Sequence, residues 1–216
     1  MIRIVCIAIG YIFGLFQTSY ILGRMNGIDI RDHGSGNAGT TNMLRTLGLK
    51  AGVLTLVGDC LKCILAVSLV RVLFGKTYSD ITPLLEFYAA AGTILGHNYP
   101  FYLGFRGGKG IAATAGLALS FNWITAVCSV VIFFIAFFTT HYVSLGSLLI
   151  YVGILVELLI LGNMGYFQMS AGHLYELYAI ALFLAVLAFW KHRENIKRLL
   201  SGTERKTYLL SKNKKD

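Results

Sequence analysis

"AGVLTLVGDCLKCILAVSLVRVLF", from Ala51 to Phe74, decides the fold. Its 24 residues carry three charges, Asp59, Lys62 and Arg71, and are otherwise apolar or small. A helix that crosses a bilayer needs roughly 20 mostly apolar residues, and this run supplies them. Immediately before it stands "DHGSGNAGTTNMLRTLG", Asp32 to Gly48, with four glycines, a serine, two asparagines and an arginine. An apolar run following a hydrophilic glycine-rich loop is a pattern that the chain repeats.

Similar apolar runs cover about 4–22, 84–103, 122–140, 145–163 and 174–190. A shorter one, Ile111–Phe121, is rich in Ala and Gly and suits a half-depth or tilted helix buried against its neighbours. The composition agrees: 56% of residues are hydrophobic, 13% are charged, and the mean hydropathy is +0.68. A water-soluble domain would carry more surface charge. The reading is an all-α integral membrane protein of about seven transmembrane helices, one short, with six as the fallback. Residues 1–216 form a single polytopic domain with a short basic tail from about 191. The first segment reads as retained, because no small-residue cleavage site follows it.

Lys and Arg set the orientation. Arg24, Arg31, Arg45, Lys50, Arg106, Lys109 and the nine basic residues from Lys191 onward make fifteen of nineteen, all on one side in a seven-helix count. That side is expected to be cytoplasmic, with the amino terminus external and the carboxyl terminus cytoplasmic in a plasma membrane. The net charge of +9 reflects this asymmetry and a tail facing anionic lipid, and does not suggest nucleic-acid binding. Cys60 and Cys63 form a C-x-x-C inside an apolar helix with no second pair, so they read as small buried residues and not as a metal site.

Four polar clusters fall on the expected cytoplasmic face. The first, "GSGNAGTTNMLR", offers backbone N–H groups at glycines that let a ligand approach closely, with Gly34, Ser35, Gly36, Asn37, Thr41 and Asn42 as contacts. Arg45 adds a fork matched to phosphate. The second, "GHNYPFYLGFRGGKG", sets His97, Gly107, Gly108, Lys109 and Gly110 at the start of a helix, where anions bind well. It resembles a phosphate loop in physics only, because the spacing and the Ser/Thr of G-x-x-x-x-G-K-[ST] are missing. The third, "KHRENIKRLLSGTERK", places His192 and Asn195 on one helical face, with Arg193, Lys197 and Arg198 pointing elsewhere. The fourth, "HYVSLGS", contributes Ser144 and Ser147. Two phosphate cradles at a bilayer edge suit chemistry joining a lipid tail to a phosphate compound.

"GIDIRDHGSGNAGTTNMLR", "GHNYPFYLGFRGGKGIAATAG" and "HRENIKRLLSGTERK" resemble the three cytoplasmic motifs of the bacterial acyl-phosphate:glycerol-3-phosphate acyltransferase family, PlsY. "YVSLGS" and "GDCLKC" resemble further family segments. The resemblance implies attack of the 1-hydroxyl of sn-glycerol 3-phosphate on the carbonyl of an acyl phosphate, the first acylation of phospholipid synthesis. It implies no cofactor and no metal, and a bacterial inner membrane location. It leaves room for contact with a soluble enzyme that produces acyl phosphate. Carried over residue by residue, it makes Ser35, Arg45, Lys109, His192 and Asn195 catalytic. Gly107, Gly108 and Gly110 join Lys109 in glycerol 3-phosphate binding, Glu204 is structural, and Ser144, with Ser147 close behind, lines the site. The chain departs from the family pattern in three places: Leu15–Gln17 stand in place of S-I-P, Thr40 in place of Ala, and His141 in place of Arg.

The residues fit that chemistry independently. None of His33, His97, His141, His173 or His192 is followed five residues later by Asp, so the H-x-x-x-x-D base of soluble-domain acyltransferases is absent. An acyl phosphate has a good leaving group, which leaves anion positioning and oxyanion stabilisation as the main tasks. His192 can serve as a general base or only as an anchor while a substrate phosphate takes the proton, and the lack of an orienting carboxylate favours the anchor. A transporter of phosphorylated solutes is the rival reading. It predicts repeat symmetry and polar groups at mid-membrane, and only Asp59, Lys62 and Glu157 lie deep within apolar runs.

Overall fold

The computed structural model describes residues 1–208. Lys212, Lys214 and Lys215 of the basic tail lie outside the described residues. The described residues fold into helices and loops without strands. The helices are α1 (Ile2–Gly14), α2 (Thr18–Met25), α3 (Thr40–Phe74), α4 (Thr82–Asn98), α5 (Ile111–Phe121), α6 (Trp123–Thr140), α7 (Val143–Asn163), α8 (Ala171–Lys191) and α9 (Arg193–Leu200). Five segments are long and apolar enough to cross a membrane: Ile2–Met25, α3, α6, α7 and α8. The 17 residues of α4 and the 11 of α5 are shorter, and at about 1.5 Å per residue α5 spans only part of a bilayer's depth.

Three boundaries differ from the sequence expectation. The first apolar run breaks at Leu15–Gln17, where the family's S-I-P is missing. The loop before Ala51 is helical from Thr40, and Gly48 bends the chain with φ +85°, a conformation that an L side chain rarely adopts. The run 84–103 ends its helix at Asn98, two residues before Pro100, since a residue preceding proline disfavours the helical region.

The centre of the bundle is α4, whose faces are almost wholly buried. It packs most extensively on α1, through small residues spaced by four. A Cβ on Gly10 would lie 1.9 Å from the Ala89 carbonyl oxygen, and one on Gly92 would lie 2.2 Å from that of Ile7. Gly14 and Gly96 repeat the contact one turn on, at 2.3 Å from the Thr93 and Tyr11 oxygens. The backbones therefore touch, the packing that small-x-x-x-small spacing permits in membranes. Helix α5 is buried in the same manner: a Cβ on Gly116 would lie 2.4 Å from the Cys60 oxygen. The Cys60 thiol donates to the Ala112 carbonyl (3.0 Å) and Cys63 is fully buried, so the C-x-x-C is a packing element. By contrast, α6 exposes Val127, Val130, Val131, Phe134, Ile135 and Phe138, an apolar face suited to lipid.

The alternation of helices brings one set of ends together: α2 to α3, α4 to α5, α6 to α7, and α8 to α9. All four polar clusters lie there. The opposite ends carry structural ion pairs, Arg3 with Glu176 and Arg71 with Glu86.

The α1–α4 contact is testable. Gly92→Ala forces the backbones apart. We expect a fall in the melting temperature of the detergent-solubilised protein, corresponding to about 1–3 kcal/mol of overpacking. An unchanged melting curve would mean that the helices can separate without loss.

Candidate active site

The first polar loop is organised by its own side chains. Asn42, at the start of α3, is 2% exposed and accepts from the Ser35 N–H (2.9 Å). It also donates to the Ile30 (3.1 Å) and His33 (2.9 Å) carbonyls. Asn42 therefore shapes the loop, while Ser35 is left exposed on it. Gly34 and Gly36 have φ of +60° and +69°, and a Cβ on Gly34 would meet Asn42 Oδ1 at 2.2 Å. Asn37 and Thr41 are half-buried and make no side-chain hydrogen bond among the described residues.

The second loop folds back on the end of α4. The Gly107 and Gly108 N–H groups donate to the Asn98 (3.3 Å) and His97 (3.1 Å) carbonyls. A Cβ on Gly107 would lie 2.0 Å from the His97 carbonyl oxygen, and one on Gly108 would lie 2.1 Å from His97 Nε2 and 2.5 Å from the Ala38 carbonyl oxygen. These glycines are thus demanded first by the protein's own packing, where the sequence reading assigned them to close approach of a ligand. Gly110, with φ +81°, turns the chain into α5. His97 lies inside the bundle, 3% exposed, with Lys62 Nζ donating to its Nδ1 (2.8 Å).

The loops meet each other and the tail. Ala38 touches Gly108, and Arg31 donates to the Leu103 carbonyl (3.1 Å). From the second loop, Lys109 donates to Asn195 Oδ1 on α9. Asn195 donates to Glu204 Oε1 (2.6 Å), and Ser144 Oγ donates to the same oxygen (2.8 Å). Arg198 Nε donates to Glu204 Oε2 (2.8 Å), so Arg198 belongs to this cluster and does not point elsewhere; it sits three residues from Asn195 on the same face of α9. Ser147 instead donates to the Val143 carbonyl within its own helix (2.7 Å), which leaves Ser144 as the serine of the cluster.

Arg45 reaches the tail from the other side. Its Nη2 donates to Thr207 Oγ1 (2.6 Å) and the Arg205 carbonyl (3.2 Å), while the Thr207 N–H donates to the His141 carbonyl (2.9 Å). Sequence reasoning missed Thr207, because a threonine beyond the last motif carries no periodic or motif signal. It also missed Lys191, which donates to the Asn98 carbonyl (3.3 Å) and lies 4.6 Å from the Tyr99 ring centroid.

His192 joins α8 to α9 and is 3% exposed. Its Nδ1 lies 2.8 Å from the Ala188 carbonyl, which can only accept, so Nδ1 carries the proton and Nε2 keeps a lone pair. Burial, helped by the Lys109 charge, pushes its pKa down to about 4. Burial also lowers Lys109, to about 8, against the pull of Glu204. Burial would raise Glu204, but hydrogen bonds from Asn195, Arg198 and Ser144 outweigh it and hold the carboxyl below its usual range. At neutral pH the site thus presents a neutral imidazole and the Glu204 carboxylate beside the cations Arg45, Lys109 and Arg198.

The glycerol-3-phosphate acyltransferase family model matches residues 4–202. The chain belongs to the glycerol-3-phosphate acyltransferase family. It is 42% identical to a glycerol-3-phosphate acyltransferase of Alkaliphilus metalliredigens over 207 residues, 95% of this chain and 96% of that one. It is also 42% identical to one of Clostridioides difficile over 204 residues, 94% of each chain. Among solved structures it is similar to PlsY (YgiH), an integral membrane glycerol 3-phosphate acyltransferase. The glycerol 3-phosphate form of that enzyme superposes with a TM-score of 0.82 at 28% identity, covering 99% of both chains. Its lysophosphatidic acid form gives 0.78 over 96% of both. The apolar helices thus belong to an integral membrane protein, and its family is one of acyltransferases.

Proposed function

We propose that this glycerol-3-phosphate acyltransferase uses acyl phosphate as donor and forms 1-acylglycerol 3-phosphate. The observation that carries the reading is the gathering of four separate polar clusters at one cationic site, Lys109–Asn195–Glu204–Ser144 on one side and Arg45 on the other. Two groups of cations suit two phosphorylated substrates. A donor with a good leaving group also suits a site in which the nearest histidine is weakly basic.

In the proposed reaction the second loop, with Lys109 and the Gly107–Gly110 backbone, holds the phosphate of glycerol 3-phosphate. Arg45 and Ser35 hold the phosphate of the donor. The 1-hydroxyl oxygen attacks the acyl carbonyl carbon, the bond from that carbon to the phosphate oxygen breaks, and inorganic phosphate departs. The hydroxyl proton passes to a phosphate oxygen, whose second pKa near about 6 makes it a competent acceptor. His192 Nε2, which keeps its lone pair, accepts a hydrogen bond from the 2-hydroxyl of glycerol 3-phosphate and so orients the acceptor without taking the 1-hydroxyl proton. Asn195 and Glu204 hold Lys109 and α9 in register.

The same reading gives seven membrane segments in a bacterial plasma membrane, with the short α5 among them. The amino terminus is external and the site is cytoplasmic, as the distribution of Lys and Arg supports. It leaves the site open to acyl phosphate delivered by a soluble enzyme.

Purified protein given glycerol 3-phosphate should release phosphate with acyl phosphate and show no turnover with acyl-CoA. Comparable rates with acyl-CoA would refute the donor assignment.

The role of His192 separates by substitution. His192→Asn keeps a hydrogen-bonding side chain and should retain measurable turnover, whereas His192→Ala should lose far more. Near-total and equal loss of kcat in both would identify His192 as the base, a role worth about 10²–10⁴-fold.

The Lys109 pKa sets an alkaline limit. As pH rises through about 8 the ammonium loses its proton, so the KM for glycerol 3-phosphate should climb. Lys109→Arg, which stays charged, should abolish that limb of the profile.

A further inference from the structure

Asp59 and Lys62 are 1% and 4% exposed and form an ion pair of 2.9 Å inside α3, far along the helix from its polar start. A buried ion pair is a poor source of stability, because well-packed apolar residues of the same volume often do as well or better. The partners of Lys62 give it another purpose. Its ammonium also donates to the Phe16 carbonyl (2.7 Å) and to His97 Nδ1 (2.8 Å), with the Gly14 carbonyl more distant at 3.4 Å.

An ammonium donates and never accepts. His97 Nδ1 must therefore hold its lone pair toward Lys62, and the imidazole proton is confined to Nε2. Nε2 is the atom lying against Gly108, 2.1 Å from the position of a Cβ there. The His97 carbonyl accepts the Gly108 N–H (3.1 Å) and Gln17 Nε2 (3.0 Å). Ring and backbone of one residue thus form the floor of the second glycine loop, and Lys109 is the next residue along it. Asp59 is held in turn by Thr18, whose hydroxyl donates to Oδ1 (3.1 Å).

We propose that Lys62 is a positioning residue of the acyl transfer: with Asp59 it fixes His97 in the Nε2–H tautomer, and that ring seats Gly107–Gly110 in the shape that receives the phosphate of glycerol 3-phosphate. The proposal rests on the reading above that this loop binds that phosphate. His97 then acts from beneath the loop and does not touch the substrate. The network runs from the break between α1 and α2, through α3 and α4, to Lys109.

The test uses the full-length protein in detergent. Lys62→Met alone strands the Asp59 charge and risks misfolding, so the decisive variant is Asp59→Asn with Lys62→Met, which removes both charges together. NMR of histidine-labelled protein, with His97 assigned through His97→Gln, should show only Nε2 protonated in the parent and a mixture of tautomers in the double variant. The KM for glycerol 3-phosphate should rise about tenfold or more, with a smaller change in kcat and an unchanged KM for acyl phosphate. Lys109→Met serves as the control and should raise the same KM. The proposal is overturned if Lys109→Met raises that KM while the double variant leaves it at the parent value, or if the double variant lowers only the melting temperature. If Lys109→Met leaves the KM for glycerol 3-phosphate unchanged, the assignment of the loop falls first and the proposal with it. A single Nε2–H tautomer in the double variant would also overturn it.

Discussion

A carbonyl left without a donor in hydrocarbon costs several kcal/mol, and the first apolar segment of this chain breaks its helix at Leu15–Gln17. Each freed oxygen finds a donor, one within the break and two from elsewhere in the bundle. Gln17 donates to Gly14, the Tyr102 hydroxyl to Leu15, and Lys62 to Phe16. Two of the donors belong to other parts of the chain, so these carbonyls are satisfied only when α3 and the second polar loop are in place. Lys62 is the strictest of them, since its ammonium must find partners for all of its protons in a site that excludes water. Asp59, Phe16 and His97 provide those partners, and the second loop rests on His97.

The glycines of the bundle and those of the site answer to one requirement, the near contact of backbones. Gly10, Gly14, Gly92 and Gly96 press α1 onto α4, while Gly107 and Gly108 press the second loop onto the end of the same α4. Moving α1 therefore disturbs Tyr11, whose hydroxyl donates to the Tyr99 carbonyl beside that loop. The shape of the second loop is inherited from helix packing.

The tail completes the site. Glu204 alone collects three side chains from two helices, Ser144 of α7 and Asn195 and Arg198 of α9, and Thr207 ties Arg45 to the turn at His141. His141 has a φ of +61°, and its carbonyl accepts from the Thr207 N–H of the tail. Within this cluster a single carboxylate, Glu204, stands among Lys109, Arg198 and the nearby Arg45.

Apolar runs of bilayer length determined the class of fold, because hydrocarbon leaves helices as the only way for such segments to pair their backbone groups. The motifs around Ser35, Arg45, Lys109, His192 and Asn195 stood out in the sequence because glycines and polar or charged residues at short spacing interrupt the apolar runs, and the structure gathers those segments at one end of the bundle. The C-x-x-C pair was legible too, since its burial depends on one turn of a single apolar helix. Contacts between distant segments were not. Arg198 joins Glu204, Ser144 and not Ser147 faces the cluster, Thr207 reaches Arg45, and His97 lies below its loop, each for reasons set by how separate helices meet. Local spacing fixes which residues share a helix face, whereas the partner of that face is chosen only when side chains some 160 residues apart, such as Arg45 and Thr207, are brought within hydrogen-bond distance.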